Sequence, residues 1–220
     1  MTLRHPHRSV SGFNVIDLLV LIGVVGLLIA VAVPMLLEVR AKTRQVDCLD
    51  NLRTVRAGMD YWSSPVWDYP MALSTNEKGT LEVAHDVWRT FQVVSNELKI
   101  PRVLMCPADS RTPAVSWSSL ANSNISYFLG LDATVATPKM MLAGERHLGT
   151  GKRLYNRVLK VNPGDVLRWT TTPHPAGGNV VFGDGSATSL DERKLQAALD
   201  PIRENYTNEL RRGQLRFALP

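Results

Sequence analysis

From Leu18 to Leu37 the chain runs for twenty residues without a charge. That is enough to cross a hydrocarbon core of about 30 Å at about 1.5 Å per residue. One acid, Asp17, stands at the edge of the run; a carboxylate at the centre of such a helix costs roughly 2.5–3.5 kcal/mol on insertion scales, and an acid within a membrane segment marks a function by default. Beyond Glu38 charges return, but the period persists. Val46, Leu49, Leu52, Val55, Met59 and Trp62 recur at spacings of three and four, an apolar stripe on a polar helix. Pro34 is the one breaker between residues 13 and 61, and membrane helices tolerate proline. The pattern predicts one helix near fifty residues long, about 75 Å. Residues 13–37 are apolar all round, residues 38–62 are amphipathic, and the end falls near Ser63-Ser64-Pro65.

The pattern then shortens. Residues 65–80 read as loop, and residues 81–99 as a second helix. Short apolar segments follow at 103–109, 125–131, 140–146, 165–169, 179–183 and 186–190. The last two flank Asp184-Gly185, a strong hairpin signal. A terminal helix is expected over Asp191–Leu199, stopping before Pro201. A long helix followed by short strands predicts an α+β fold, with residues 63–220 forming a small antiparallel-sheet head.

Composition changes this picture little. The 220 residues carry 25 Lys and Arg against 20 Asp and Glu, a net charge of +5. Arg4 and Arg8 supply two of those charges, so the body is only mildly basic, and no basic stripe interleaved with aromatics points to nucleic acid. Arg40, Lys42 and Arg44 read as a solvated helix face. Cys48 and Cys106 have 57 residues between them, without the spacing of a zinc ribbon or redox motif. Outside the cytoplasm they can form a disulfide; otherwise they are two buried thiols.

Residues 1–37 admit three readings. A cleaved secretory signal has its basic start and a small-x-small site at Ala30-Val31-Ala32, but the apolar run is too long. A plain anchor explains the length and leaves Gly12-Phe13 and Asp17 without a role. The third reading is a resemblance. SGFNVIDLL before a long apolar run resembles the leader of type IV pilins and type II secretion pseudopilins. Gly12, Phe13, Ile16, Leu18 and Leu19 match it, and Pro34 falls where many such helices carry a kinking proline. Asn14 replaces the usual Thr, and Asp17 the usual Glu. The resemblance implies a leader over residues 1–12, cut by a prepilin peptidase between Gly12 and Phe13, with methylation of the Phe13 amine. It implies that Asp17 pairs with the N-terminal ammonium of a neighbouring subunit and so sets the register of a polymer. The positive-inside count does not orient the segment; the leader motif implies a periplasmic head.

The body resembles, more loosely, bacterial pseudopilin-like proteins that close on a His, nine residues and Asp-Gly: here His174, Asp184 and Gly185. CLDNLRTVRAGMDYW, CPADSR, NISYFLGL and LAGERH resemble earlier blocks of that group. His174 with Asp184 can serve as base and orienter or hold an ion, yet spacing reveals no third ligand and no nucleophile elbow. Asp184-Gly185 is explained by turn geometry, and His174 by pinning the loop 173–178 against the hairpin. Some secretion pseudopilins bind calcium, but no Asp-rich loop stands here to carry it; no catalytic residue and no cofactor is expected, with a calcium ion kept as the alternative. Asp109 and Asp132 read as turn formers, and Trp117, Tyr127 and Trp169 as core.

The expected protein is therefore a non-enzymatic pilin-like subunit, inserted once in a bacterial inner membrane. Its partners would be prepilin peptidase, other pilin-like subunits, and an assembly platform with its ATPase. The rival from another class is an exported or anchored enzyme or binding protein that uses residues 1–37 only as signal or anchor.

Overall fold

Straight-chain and branched apolar residues without a capping break carry one helix through the whole N-terminal pattern. In the computed structural model, which describes residues 14–171, 174–205 and 214–220, α1 spans Val15–Ser63 without interruption at Pro34. Gly12 and Phe13 lie outside the described residues. The chain divides into two units between Arg40 and Ala41. In the first, every described residue from 14 to 40 is exposed, although leucine, valine and isoleucine dominate. This helix is long and apolar enough to span a membrane.

In the second unit, α1 buries Cys48, Leu52, Val55 and Met59, residues at steps of four, three and four along one face. Val46, expected in that stripe, is 53% exposed; the stripe begins instead at Cys48. The expected helix over 81–99 is two, α2 (Val87–Val93) and α3 (Ser95–Leu98), separated where Val94 leaves helical geometry at φ −93° and ψ 19°. Ser95 and Asn96, which compete for backbone hydrogen bonds, follow that break. Residues 103–109 form no strand. A 3₁₀ turn at Pro101–Leu104 leads into an irregular loop, because Pro101 and Pro107 bring no N–H to a ladder.

Among the described residues eight strands follow: β1 (Tyr127–Gly130), β2 (Met141–Glu145), β3 (Leu148–Gly149), β4 (Val158–Val161), β5 (Arg168–Trp169), β6 (Gly178–Phe182), β7 (Ala187–Leu190) and β8 (Leu215–Ala218). Six of them form one antiparallel sheet in the order β4-β8-β1-β2-β6-β7, and β3 pairs with β5 apart from it. The fold is α+β, as the pattern implied. The expected terminal helix is longer than anticipated: α4 runs Glu192–Asn205 through Pro201. Leu195, Leu199 and Ile202 are all buried, so one apolar stripe continues past the proline and offsets its lost hydrogen bond.

Buried aromatic residues sit where expected. Tyr127 is fully enclosed, and the Trp169 indole N–H donates to the Leu190 carbonyl at 2.7 Å. Trp117 is only half-buried and donates to the Lys99 carbonyl at 3.1 Å. Asp132 does more than form a turn: its carboxylate accepts from the Arg216 backbone at 2.7 Å and from the Arg216 guanidinium at 2.6 Å. That contact ties β8 to the end of β1.

Candidate functional site

The six-stranded sheet, α1 and two loops bring four donor side chains together: Cys48, Cys106, Glu145 and His174. Each has a clear local cause. Cys48 opens the buried stripe of α1. Glu145 ends β2 and stands opposite Tyr127 of β1, so both side chains share one face of the sheet. Cys106 lies in the loop after Pro101–Leu104. The Asn51 amide holds that loop to α1 through the Met105 carbonyl at 3.0 Å, about one turn beyond Cys48.

The loop carrying Cys106 is also tied to the strand carrying Glu145. Asp109 accepts two hydrogen bonds from the Arg146 guanidinium, at 2.8 and 3.2 Å, while its own N–H donates to the Cys106 carbonyl at 3.0 Å. His174 enters from the segment before β6. Gly177 there has φ +102°, and a Cβ on it would lie 2.2 Å from the Leu190 carbonyl oxygen, so glycine lets this segment approach β7 closely enough to turn inward.

The contacts within the quartet are short. His174 Nε2 lies 2.8 Å from Glu145 Oε1 and 3.2 Å from Cys106 Sγ. Cys48 Sγ lies 3.1 Å from the same Glu145 oxygen, and Cys106 Sγ 3.9 Å from it. All four donor atoms fall within 4.8 Å of one another, and all four residues are buried. Two further donors face the sulfurs: the Tyr127 hydroxyl at 3.4 Å from Cys48 Sγ, and the Ala108 N–H at 3.4 Å from Cys106 Sγ. The other Glu145 oxygen, Oε2, is buried without a hydrogen-bond partner.

This environment separates the two thiols. Burial, then the neighbouring Cys106 and Glu145, push the Cys48 thiol far up. The hydrogen bond from Cys48 brings Cys106 down to about 6 against the opposing effect of burial, with help from His174 and the Ala108 N–H. Burial alone would lower His174, but Cys106 and Glu145 outweigh it and raise it to about 9. The cluster is thus a buried arrangement of two sulfurs, one imidazole and one carboxylate.

The expected motif residues separate. His174 does not meet Asp184: they stand beyond opposite ends of β6, and His174 pins its loop against Cys106 and Glu145 rather than against the hairpin. Asp184 occupies the β6–β7 turn, where its carboxylate accepts from the Ser186 N–H at 2.9 Å, the Ser186 hydroxyl at 2.6 Å and Lys139 at 2.8 Å. The turn is clamped to α1 by Arg56, which donates to the Gly183 carbonyl at 2.8 Å and pairs with Asp60. Gly185 sits at φ +85°. Gly185→Ala is expected to cost about 1–2 kcal/mol, from the left-handed backbone alone, since the new Cβ would meet only the Arg56 guanidinium at 3.4 Å. Denaturant unfolding of the detergent-solubilised chain checks this, and Gly185→Asn should lose less.

Cys48 and Cys106 are free thiols in this structure, yet the fold makes them neighbours. Glu145 is the member that motif reading passed over; its signal is an acid ending a wholly buried strand. Asp17, by contrast, is exposed in the first turn of α1, where its carboxylate accepts from the Asn14 N–H at 3.1 Å and suits the positive helix end. Comparison with protein-family models, with curated proteins and with solved structures finds no match.

Proposed function

We propose that this chain is a pilin-like structural subunit: a single-pass inner-membrane protein with a periplasmic α+β head, which leaves the bilayer to stack with other copies or related subunits through the apolar half of α1. The observation that supports this reading is the complete exposure of residues 14–40. An apolar helix half that the described residues leave uncovered needs lipid or other helices around it. Lipid covers it in the membrane, and neighbouring subunits cover it in a fibre or pseudopilus.

Asp17 fits both situations. In the bilayer it sits at the helix start, capped by its own first turn. In a staggered bundle it can meet the terminal ammonium of a neighbour; such a pair breaks roughly even in energy but disfavours other offsets. Maturation by a prepilin peptidase at Gly12-Phe13 would create that ammonium, and a separate ATPase and platform would drive extraction.

Mass spectrometry of the mature N-terminus is the test. The expected start is N-methylated Phe13. A start at Val33, or an intact Met1, supports an exported or anchored protein of another kind. Asp17→Ala is expected to be processed normally and to lose incorporation into fibres; unchanged assembly would remove the register role.

A further inference from the structure

We propose that Cys48, Cys106, Glu145 and His174 form a structural zinc site. Two thiolates, one imidazole nitrogen and one carboxylate oxygen hold the ion and join α1, the 105–111 loop, β2 and the segment entering β6.

The donor chemistry selects the ion. Two sulfurs and a nitrogen suit zinc and other thiophilic cations, whereas calcium and magnesium take oxygen donors, which a site with one carboxylate does not supply. Zinc bonds of about 2.0–2.3 Å in a tetrahedron place the donors about 3.3–3.8 Å apart. Three of the donor separations, 2.8, 3.1 and 3.2 Å, are shorter than that range and a fourth, 3.9 Å, is slightly longer, so the donors must move apart by a few tenths of an ångström to admit the ion. All four positions are filled by protein and none is exposed, which is the closed arrangement of a structural centre rather than a catalytic one.

Three further features fit an ion at this point. Glu145 Oε2 is buried and unpartnered, an expensive state for a carboxylate oxygen that a cation on the same group relieves. The Tyr127 hydroxyl and the Ala108 N–H each face one sulfur, as the outer donors that stabilise metal-bound thiolates do. Cys106 also lines a cleft of about 620 Å³, whose walls carry both acids (Asp47, Asp50, Asp109) and bases (Arg102, Arg111), and this cleft is the way in for an ion. Binding requires both sulfurs as thiolates and the imidazole neutral, so the protons that these groups carry leave to solvent as the ion enters.

The test uses the full chain in detergent, loaded with zinc and freed of excess. Elemental analysis should find one zinc per chain, released in step as a mercurial reagent titrates Cys48 and Cys106. Cobalt in place of zinc should give the ligand-field bands of a four-coordinate site and thiolate charge-transfer bands. Chelation should lower the melting temperature, and zinc, but not calcium or magnesium, should restore it. Cys106→Ser and Glu145→Gln should each reduce zinc retention by at least about tenfold, and Tyr127→Phe should weaken it about 10–100-fold in a folded protein. The thiol titration needs no variant, so misfolding of a mutant does not blunt the test. A Cys48–Cys106 disulfide in non-reducing peptide maps of the natively produced protein, failure to retain zinc, or retention unchanged in Cys48→Ser/Cys106→Ser would each overturn the proposal. These outcomes are independent of where the N-terminus is cut.

Discussion

Arg146→Met is expected to destabilise the head by about 3–5 kcal/mol, the usual cost of stripping the partner from a buried charge. Asp109 has a side chain only 3% exposed, and Arg146 is its bidentate cation. Burial alone would raise the Asp109 carboxyl, but hydrogen bonds from Arg146, Ser126 and the Arg111 backbone, with the Arg146 charge, bring it down to about 2. The folded value lies below the usual 3.8, so the contribution is present above that pH and is lost as pH falls through about 2. It amounts to about 2 kcal/mol at neutral pH.

The variant should behave in the opposite sense. Without the guanidinium, burial dominates, Asp109 takes up its proton more readily, and the gap between variant and wild type narrows as the medium is acidified below about pH 4. Denaturant unfolding monitored by tryptophan emission, at several pH values, measures both effects. A deficit that stays constant down to pH 2 would refute the assignment. Because Asp109 follows Cys106 by one turn and Arg146 follows Glu145 directly, Arg146→Met should also loosen the donor quartet.

Phe128→Ala is expected to cost about 3–5 kcal/mol. Phe128 of β1 and Phe217 of β8 are fully enclosed, with ring centroids 5.1 Å apart at 73°. Gly144 of β2 lies so close beneath that a Cβ on it would stand 2.7 Å from the Phe128 ring. That crowding leaves little freedom for neighbouring backbone to close over a cavity. A double-mutant cycle with Phe217→Ala should return a coupling of about 0.5–1.5 kcal/mol for the edge-to-face pair. Additive losses would show instead that the rings contribute only by area.

Much of the helical architecture was readable because its signal is periodic and local. The stripe from Leu52 to Met59, the end at Ser63, and the β6–β7 hairpin around Asp184-Gly185 each depend on residues within a few positions of one another. The strands β4 and β8 escaped reading. VLKV and LRFA are too short to show a period, and β8 is a strand only because Leu129-Gly130 and residues 158–161 pair with it from far away. Pro201 misled for the same reason: its local cost is visible in sequence, while the burial of Leu195, Leu199 and Ile202 is not.

The sequence alone determined that a helix able to span a membrane opens the chain and that an antiparallel α+β body follows, since hydrophobic period and turn chemistry are local properties. It also marked Cys48, Cys106 and His174 as residues of interest, though it tied His174 to Asp184. Only the tertiary structure decided which of them meet. Convergence of positions 48, 106, 145 and 174 depends on strand order, on the Asp109–Arg146 pair and on the turn at Gly177, which bring distant segments together within 4.8 Å. Spacing along the chain carries no trace of that, because contacts across a sheet are set by register and packing rather than by separation in sequence.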